Sequence, residues 1–296
     1  MSTDIFFKHF SSIKDPRQSA KVSYPLFDII FLTVTAVIAG CEGWEEIEDF
    51  GEARLDWFKT FGYFDNGIPV HDTIARLISR ISGDQFQSCF SNWMQDVSKC
   101  NNDIVAIDGK TLRGSYNRDD RLSTIHMVSA FATGNGVVMG QYKTNEKSNE
   151  ITAIPELLSL LELNGCLVTL DAMGCQTDIA QAIVDKDADY VLAVKGKQAS
   201  LEYRYYISSA TLGITRFSES VRRHWDVENK LHWVLDVTMN EDACQIYRGH
   251  AAENLACIRH TSLNMLRKET TKKVSIARKR RLAAMTTDYL EKVLAA

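Results

Sequence analysis

The sequence predicts an α/β protein in two parts, a helical N-terminal domain over residues 1–100 and a mixed-sheet domain over residues 101–296. Three observations carry this. Amphipathic segments at helical spacing run through the first hundred residues. At Asn101-Asn102-Asp103 the pattern changes to short runs rich in β-branched and aromatic residues. Those runs then follow one another as β-β-β-α-β-α-β-α.

In the first part, helices are expected near Leu26–Ala39, Trp44–Phe61 and His71–Ile81, punctuated by Asp15-Pro16-Arg17, Gly62 and Gly67. The second part opens with a strand at Ile104–Asp108. Strands at Ile125–Thr133 and Val137–Tyr142 flank Gly134-Asn135-Gly136, a hairpin signal. A helix at Ile154–Leu163, opened by Pro155, precedes the apolar run Cys166–Leu170, which ends on Asp171. A helix at about Thr177–Lys186 leads to the strand Tyr190–Val194, and a final helix spaced by Phe217, Val221, Trp225, Leu231 and Leu235 has Thr215 as its expected cap. Antiparallel strands followed by helix-linked crossover strands make a mixed sheet with helices on its faces, the order of the RNase H-like fold.

That order assigns a chemistry to three acidic residues. Asp108 ends the first strand within Asp108-Gly109-Lys110, and Asp171 ends the fourth, both at the carboxyl ends where open sheets place ligand sites. Glu228 lies on the last helix, with His224 one helical turn before it and His232 one turn after. Hard cations take oxygen ligands, and two Mg²⁺ (or Mn²⁺) ions held about 3.5–4 Å apart can activate an attacking oxygen and stabilise a leaving one in phosphodiester chemistry. A competing reading makes His224, Glu228 and His232 the ligands of a zinc-dependent hydrolase, although the H-E-x-x-H order is absent. In a third reading His224, His232, Trp225 and Trp233 merely pack a helix against the sheet.

Composition narrows the class further. The formal net charge is -4, so the chain as a whole is not drawn to nucleic acid, but Lys272, Lys273, Arg278, Lys279, Arg280 and Arg281 form a basic cluster able to neutralise several phosphates. The apolar run Leu26–Gly40 carries Asp28 and falls short of the ~20 residues of a bilayer span, so a buried helix is expected and no membrane partner. The N-terminus lacks a secretory pattern, so the expected location is cytoplasmic. Seven scattered cysteines without a C-x-x-C pair suggest neither a disulfide framework nor a cysteine zinc site.

The motifs along nearly the whole chain resemble the H-repeat-associated, ISAs-type insertion-sequence transposases. The resemblance rests on Asp15-Pro16-Arg17, Gly40-Cys41-Glu42-Gly43-Trp44 and Ile68–Arg76 in the first part. In the second it rests on Ala106–Arg113, Lys147-Ser148-Asn149-Glu150-Ile151, Leu170–Gln176, Ala193-Val194-Lys195-Gly196, His224–Val237, Glu241-Asp242, and Ala251–Leu266 with Asn254, Arg259 and Asn264. It implies metal-dependent DNA cleavage at the ends of a mobile element and strand transfer into target DNA, with Asp108, Asp171 and Glu228 as the DDE triad. Lys110, Arg113, Lys195, His224, Asn229 and His232 become residues that bind or orient DNA or ligands, and a homodimer becomes a candidate active form. The helical part resembles the family's associated domain, which implies a part in end recognition or assembly.

Two departures stand out. A strand-rich insertion usual between the last core strand and the glutamate helix is largely missing near residues 199–203, and Lys197 stands where Asn is common. An internally deleted copy with impaired transposition is therefore expected, with a catalytically inactive DNA-binding remnant as the alternative.

Overall fold

The computed structural model describes residues 2–18, 22–98, 102–116, 124–144, 150–195 and 204–296. Lys147-Ser148-Asn149, Gly196, Lys197 and the short join at 199–203 lie outside these residues.

The described elements are α1 Ser2–Phe10, α2 Leu26–Ala39, α3 Trp44–Ala53, α4 Leu55–Lys59, α5 His71–Ile78, α6 Gly83–Val97, β1 Ile104–Leu112, β2 Ile125–Ala132, β3 Val137–Thr144, α7 Glu150–Ser159, β4 Leu167–Leu170, α8 Thr177–Val184, β5 Asp189–Val194, β6 Tyr205–Ser208, α9 Ile214–His224, a π-helical segment Val227–His232, α10 Trp233–Thr238, α11 Ala251–Lys268, α12 Ile276–Met285 and α13 Thr287–Leu294. They divide into two compact units. One comprises residues 1–93, 113–124 and 235–296, and the other residues 94–112 and 125–234. The units are therefore not the linear parts 1–100 and 101–296, because α11, α12 and α13 belong with α2.

The sheet unit has strand order β3-β2-β1-β4-β5-β6, antiparallel from β3 to β1, parallel through β4 and β5, and antiparallel again at β6. This is the expected mixed sheet with one strand more than the sequence reading assigned. Asp103 fixes the start of β1 to the hairpin turn: its Oδ1 accepts from the backbone N–H of Ile104 (2.7 Å) and Gly134 (2.8 Å). Side chains alternate across a strand, so Ile104, Ala106 and Asp108 share one face of the sheet. Leu167, Thr169 and Asp171 do the same along β4, as do Val191, Ala193 and Lys195 along β5. Ile104, Leu167 and Val191 form a buried cluster on that face, and Phe217 and Val221 of α9 pack on it. The same alternation therefore points Asp108 and Asp171 to the side of the sheet that α9 covers.

Several boundaries differ from expectation. The segment Trp44–Phe61 is two helices, broken at Arg54. α7 starts earlier than predicted and holds Pro155 inside it. Thr215 does not cap α9, whose N-cap is Gly213.

The helical unit is organised on α2, all of whose residues are buried, and on α11, buried from Ala251 to Leu266. Phe6, Phe10, Phe86 and Trp93 pack as neighbouring rings in the same core. Buried Asp28 is explained by one contact: its Oδ2 accepts from the N–H of Phe64 at 3.1 Å, while burial raises its carboxyl above the ordinary range. No single helix among the described residues is long and apolar enough to cross a membrane.

Candidate active site

β1 and β4 run parallel with Ala106 opposite Thr169. Asp108 and Asp171 each lie two residues further, at the same height on neighbouring strands and on the same face. Burial drives the Asp108 carboxyl up to about 6; the Gly109 N–H opposes the shift, and the charges of Glu150, Asp171 and Glu228 add to it. Four carboxylates therefore share one electrostatic environment. The predicted triad is in it, together with Glu150, which the sequence reading gave no role.

Asp171 is exposed and locally braced, its Oδ1 accepting from the N–H of Met173 (2.9 Å) and Gly174 (3.2 Å). Glu228 is exposed on the π-helical segment. The expected continuous helix is not formed, because α9 ends at His224 and the wider π turns re-phase the side chains that follow. His224 and His232 consequently go to different aspartates. His224 Nδ1 lies 3.1 Å from Thr169 Oγ1 on β4, and burial lowers its pKa while the charge of Asp171 acts the other way. Buried His232 has Nδ1 3.7 Å from Asp108 Oδ2. The zinc array of His224, Glu228 and His232 therefore does not assemble, and among the described residues no group of three His, Cys, Asp or Glu side chains is gathered closely enough to hold one ion. Trp225 and Trp233 stay 49% and 58% exposed, so neither is a core residue of the helix–sheet packing.

Behind Gly109, His126 Nε2 lies 2.5 Å from Glu150 Oε1, and His126 Nδ1 lies 2.8 Å from Thr111 Oγ1. A Cβ at Gly109 would press on the Glu150 carboxylate and on His126 Nε2, so a side chain there would have to displace this pair. The signal for it was the Asp-Gly dipeptide itself; its partner on β2 became visible only once the strands were in register, Thr111 opposite His126.

The remaining candidates are dispersed. Lys110 is half-buried on β1, and Lys195 is exposed where β5 ends. Asn229 is exposed, but its amide donates to the Trp225 carbonyl at 2.9 Å. Arg113 belongs to the helical unit, where it is 81% exposed and pairs with Asp242 at 3.5 Å. In the basic cluster Lys272, Lys273, Arg278 and Arg281 are exposed, whereas Lys279 and Arg280 turn inward. Lys279 Nζ donates to the Leu266 carbonyl at 2.7 Å and to the Glu269 carbonyl. Arg280 donates to Val37 O at 3.2 and 3.3 Å and to Thr238 O. The expectation that these two contact DNA is corrected on that ground: both charges are already spent on buried carbonyls.

A cavity of about 260 Å³ adjoins Asp171 and His224, lined also by Tyr205, Tyr206 and Trp225.

Asp108 lies inside β1, which runs on to Leu112 instead of ending at the aspartate as the sequence suggests, while Asp171 directly follows the parallel neighbour β4. A mixed sheet with these two aspartates side by side and a glutamate on a following helix defines an RNase H-like protein of the DDE type. Residues 7–94 match the DDE_Tnp_1-associated family model and residues 99–265 the transposase DDE domain model. The chain is 44% identical to the H repeat-associated putative transposase YhhI of Escherichia coli (strain K12), over 97% of each chain. It is also 44% identical to the putative transposase YncI of Escherichia coli O157:H7, over 100% of this chain and 95% of the relative. A piggyBac transposase in a synaptic complex with hairpin DNA shares the fold, with a TM-score of 0.52 at 11% identity over 100% of this chain and 81% of that one. The chain belongs to the transposase DDE domain family and is an insertion-sequence transposase, a DNA-binding class whose general function is DNA cleavage and strand transfer with divalent metal ions. Its pairing with the K12 relative extends over 366 positions; taking away the 296 residues of this chain leaves at least 70 positions with no counterpart here.

Proposed function

We propose that Asp108, Asp171 and Glu228 are the catalytic carboxylates, that they hold two Mg²⁺ or Mn²⁺ ions, and that the protein cuts the terminal repeats of its own element and joins the freed 3′-hydroxyl to target DNA. The observation that carries the reading is the position of Asp108, level with Asp171 on the same sheet face and with a carboxyl raised to about 6 by burial, to which the charges of Glu150, Asp171 and Glu228 add. All three offer hard oxygen donors, so the donor chemistry fits. When bound, the ions would activate the attacking oxygen and stabilise the leaving one.

The chain's own residues have distinct tasks in this proposal. The N–H groups of Met173 and Gly174 fix one oxygen of Asp171 and leave the other for ligation. His232, beside Asp108, orients that carboxylate, and Thr169 holds His224 next to Asp171. Lys110, Lys195 and Asn229 steer the DNA backbone at the strand ends. Arg113, Lys272, Lys273, Arg278 and Arg281 supply phosphate contacts from the helical unit. In the proposed functional division, residues 1–100 serve end recognition and assembly, including a homodimer, and residues 101–296 serve catalysis beside the nucleoid. The shortfall of at least 70 positions supports loss of the insertion near residues 199–203 and an impaired transposition.

The test is nicking and joining of a labelled duplex carrying the element's terminal repeat, with Mg²⁺ or Mn²⁺, comparing this protein with Asp108→Asn. Metal-dependent cleavage that disappears in the variant supports the triad. A second reading, a catalytically inactive DNA-binding remnant, is favoured by the missing positions and by the lack of an assembled ligand trio among the described residues; salt-sensitive binding without cleavage would select it.

A further inference from the structure

Two sequence motifs that the triad leaves unexplained, Asp15-Pro16-Arg17 and the segment ending in Arg76, meet in the helical unit. They line one cavity of about 620 Å³, together with Tyr24, Leu77 and Arg80. No carboxylate lines it among the described residues.

The three arginines are not equivalent. Arg17 is half-buried and committed to the frame: its Nε and Nη2 donate to the two carboxylate oxygens of Asp15 at 2.9 and 2.6 Å, and Nη2 also donates to the Tyr24 carbonyl at 2.6 Å. That fork-to-fork pair cancels its charge and pins the Asp-Pro-Arg turn. Arg76 and Arg80 are exposed, four residues apart on α5 and the turn that follows it, and neither guanidinium has a protein partner among the described residues. A spacing of four puts them on one side of the helix. Two uncompensated guanidiniums at the mouth of a concave site make an anion receptor, because a guanidinium presents paired donors that match phosphate oxygens.

We propose that this cavity binds the backbone of DNA, with Arg76 and Arg80 on phosphate and the Tyr24 and Leu77 side of the cavity against sugar or base. At about 620 Å³ the cavity has room for a phosphate together with the sugar it is joined to, and DNA is the polyanion that the transposase class binds. The braced Arg17–Asp15 pair is then a positioning element that keeps the cavity open. The proposal rests on the reading of residues 1–100 as serving end recognition but not on the triad, since it concerns binding without chemistry; a wild-type chain that binds no duplex at all would remove that reading, whereas a chain that binds equally well without the two arginines would remove only the cavity.

The experiment is a titration of a labelled duplex by anisotropy across a salt series, without divalent cations, using the full chain in an Asp108→Asn background so that cleavage plays no part. Replacing both residues, Arg76→Gln with Arg80→Gln, is expected to lower the slope of log affinity against log salt by about 0.9 per lost phosphate contact, near 1.8 for the pair. Affinity at low salt should weaken roughly tenfold or more. The urea midpoint should be unchanged, since both side chains are exposed. If folding suffers, the paired variant Arg76→Lys with Arg80→Lys keeps the charges, and recovery of the slope supports the site while no recovery overturns it. Unchanged affinity and slope in the Gln variant overturn the proposal. So does unchanged DNA binding with lost stabilisation by inorganic phosphate, which would assign the cavity to a free anion.

Discussion

Asp108 carries the most informative single feature of the site, a carboxyl held at about 6 by burial and by three like charges. A folded-state pKa above the unfolded value means that the native protein holds its proton where the unfolded chain has lost it. Stability is therefore greatest below about pH 4 in respect of this group, and falls as pH rises towards about 6. Asp108→Asn should accordingly stabilise the metal-free protein at pH 8 by about 1–2 kcal/mol, a figure discounted for partial exposure, with the gain vanishing near pH 4. Urea melts at the two pH values check this, and a variant less stable than wild type at pH 8 would contradict the electrostatic picture. One residue along, Gly109→Ala should cost about 1–3 kcal/mol, because its Cβ has no room beside Glu150 and His126. A matching loss in Glu150→Ala, without additivity in the double variant, would show that both act on one contact. Asp171 was legible because the end of β4 can be read from periodicity; Asp108 was legible as a strand residue, but β1 continues past it to Leu112, paired with β2. His126 and Glu150 were not, since their partnership depends on cross-strand register and on a helix that starts earlier than Pro155 suggested.

Among the elements, the strands followed the sequence reading within a few residues because alternation and β-branching act locally, and the Gly134-Asn135-Gly136 turn sets the hairpin. The edge strand β6 escaped, though Tyr205-Tyr206-Ile207 carried a strand-like composition, because four residues show too little periodicity. The π-helical segment escaped for a different reason: its wider turns go with the placing of His224 at Thr169 and His232 beside Asp108, tertiary contacts that no local pattern announces. α12 shows how a charge run misleads. Lys279 and Arg280 occupy the same helix stripe as Ala283, and the stripe is buried. Arg280 sits at the C-terminal carbonyls of α2, where a cation is favoured by the helix dipole. Arg280→Ala should therefore lower stability by about 2 kcal/mol through unsatisfied buried carbonyls, while leaving the salt dependence of DNA binding unchanged. Arg278→Ala should do the reverse, with stability within about 0.5 kcal/mol of wild type and a salt slope reduced by about 0.9. Urea midpoints beside salt-series titrations separate the two, and an exchange of these outcomes would restore Arg280 to the DNA-contacting face.

For the whole molecule, linear order and spatial order part company. A change in pattern at residues 101–103 marks where the sheet begins, yet the C-terminal helices return to the core of the helical unit, and no local pattern announces that return. α11 is the reason. Leu255, Ile258, Leu263 and Leu266 are each at most 1% exposed in a core shared with α2, and Ser262 Oγ donates to Val34 O at 3.4 Å. Each such side chain contributes about 1.5–3 kcal/mol on burial, so the four together rival the ~5–15 kcal/mol net stability of a whole domain. A fragment of residues 101–296 would keep every strand and all three candidate carboxylates, but it would lose α2. Expressed alone it should fail to melt cooperatively and should bind a hydrophobic dye, whereas co-expression with residues 1–98 should restore a soluble complex that melts in one transition. If 101–296 instead folds by itself with wild-type stability, α11 draws its burial from some other source, and the linear division at residue 100 describes independent folding units after all.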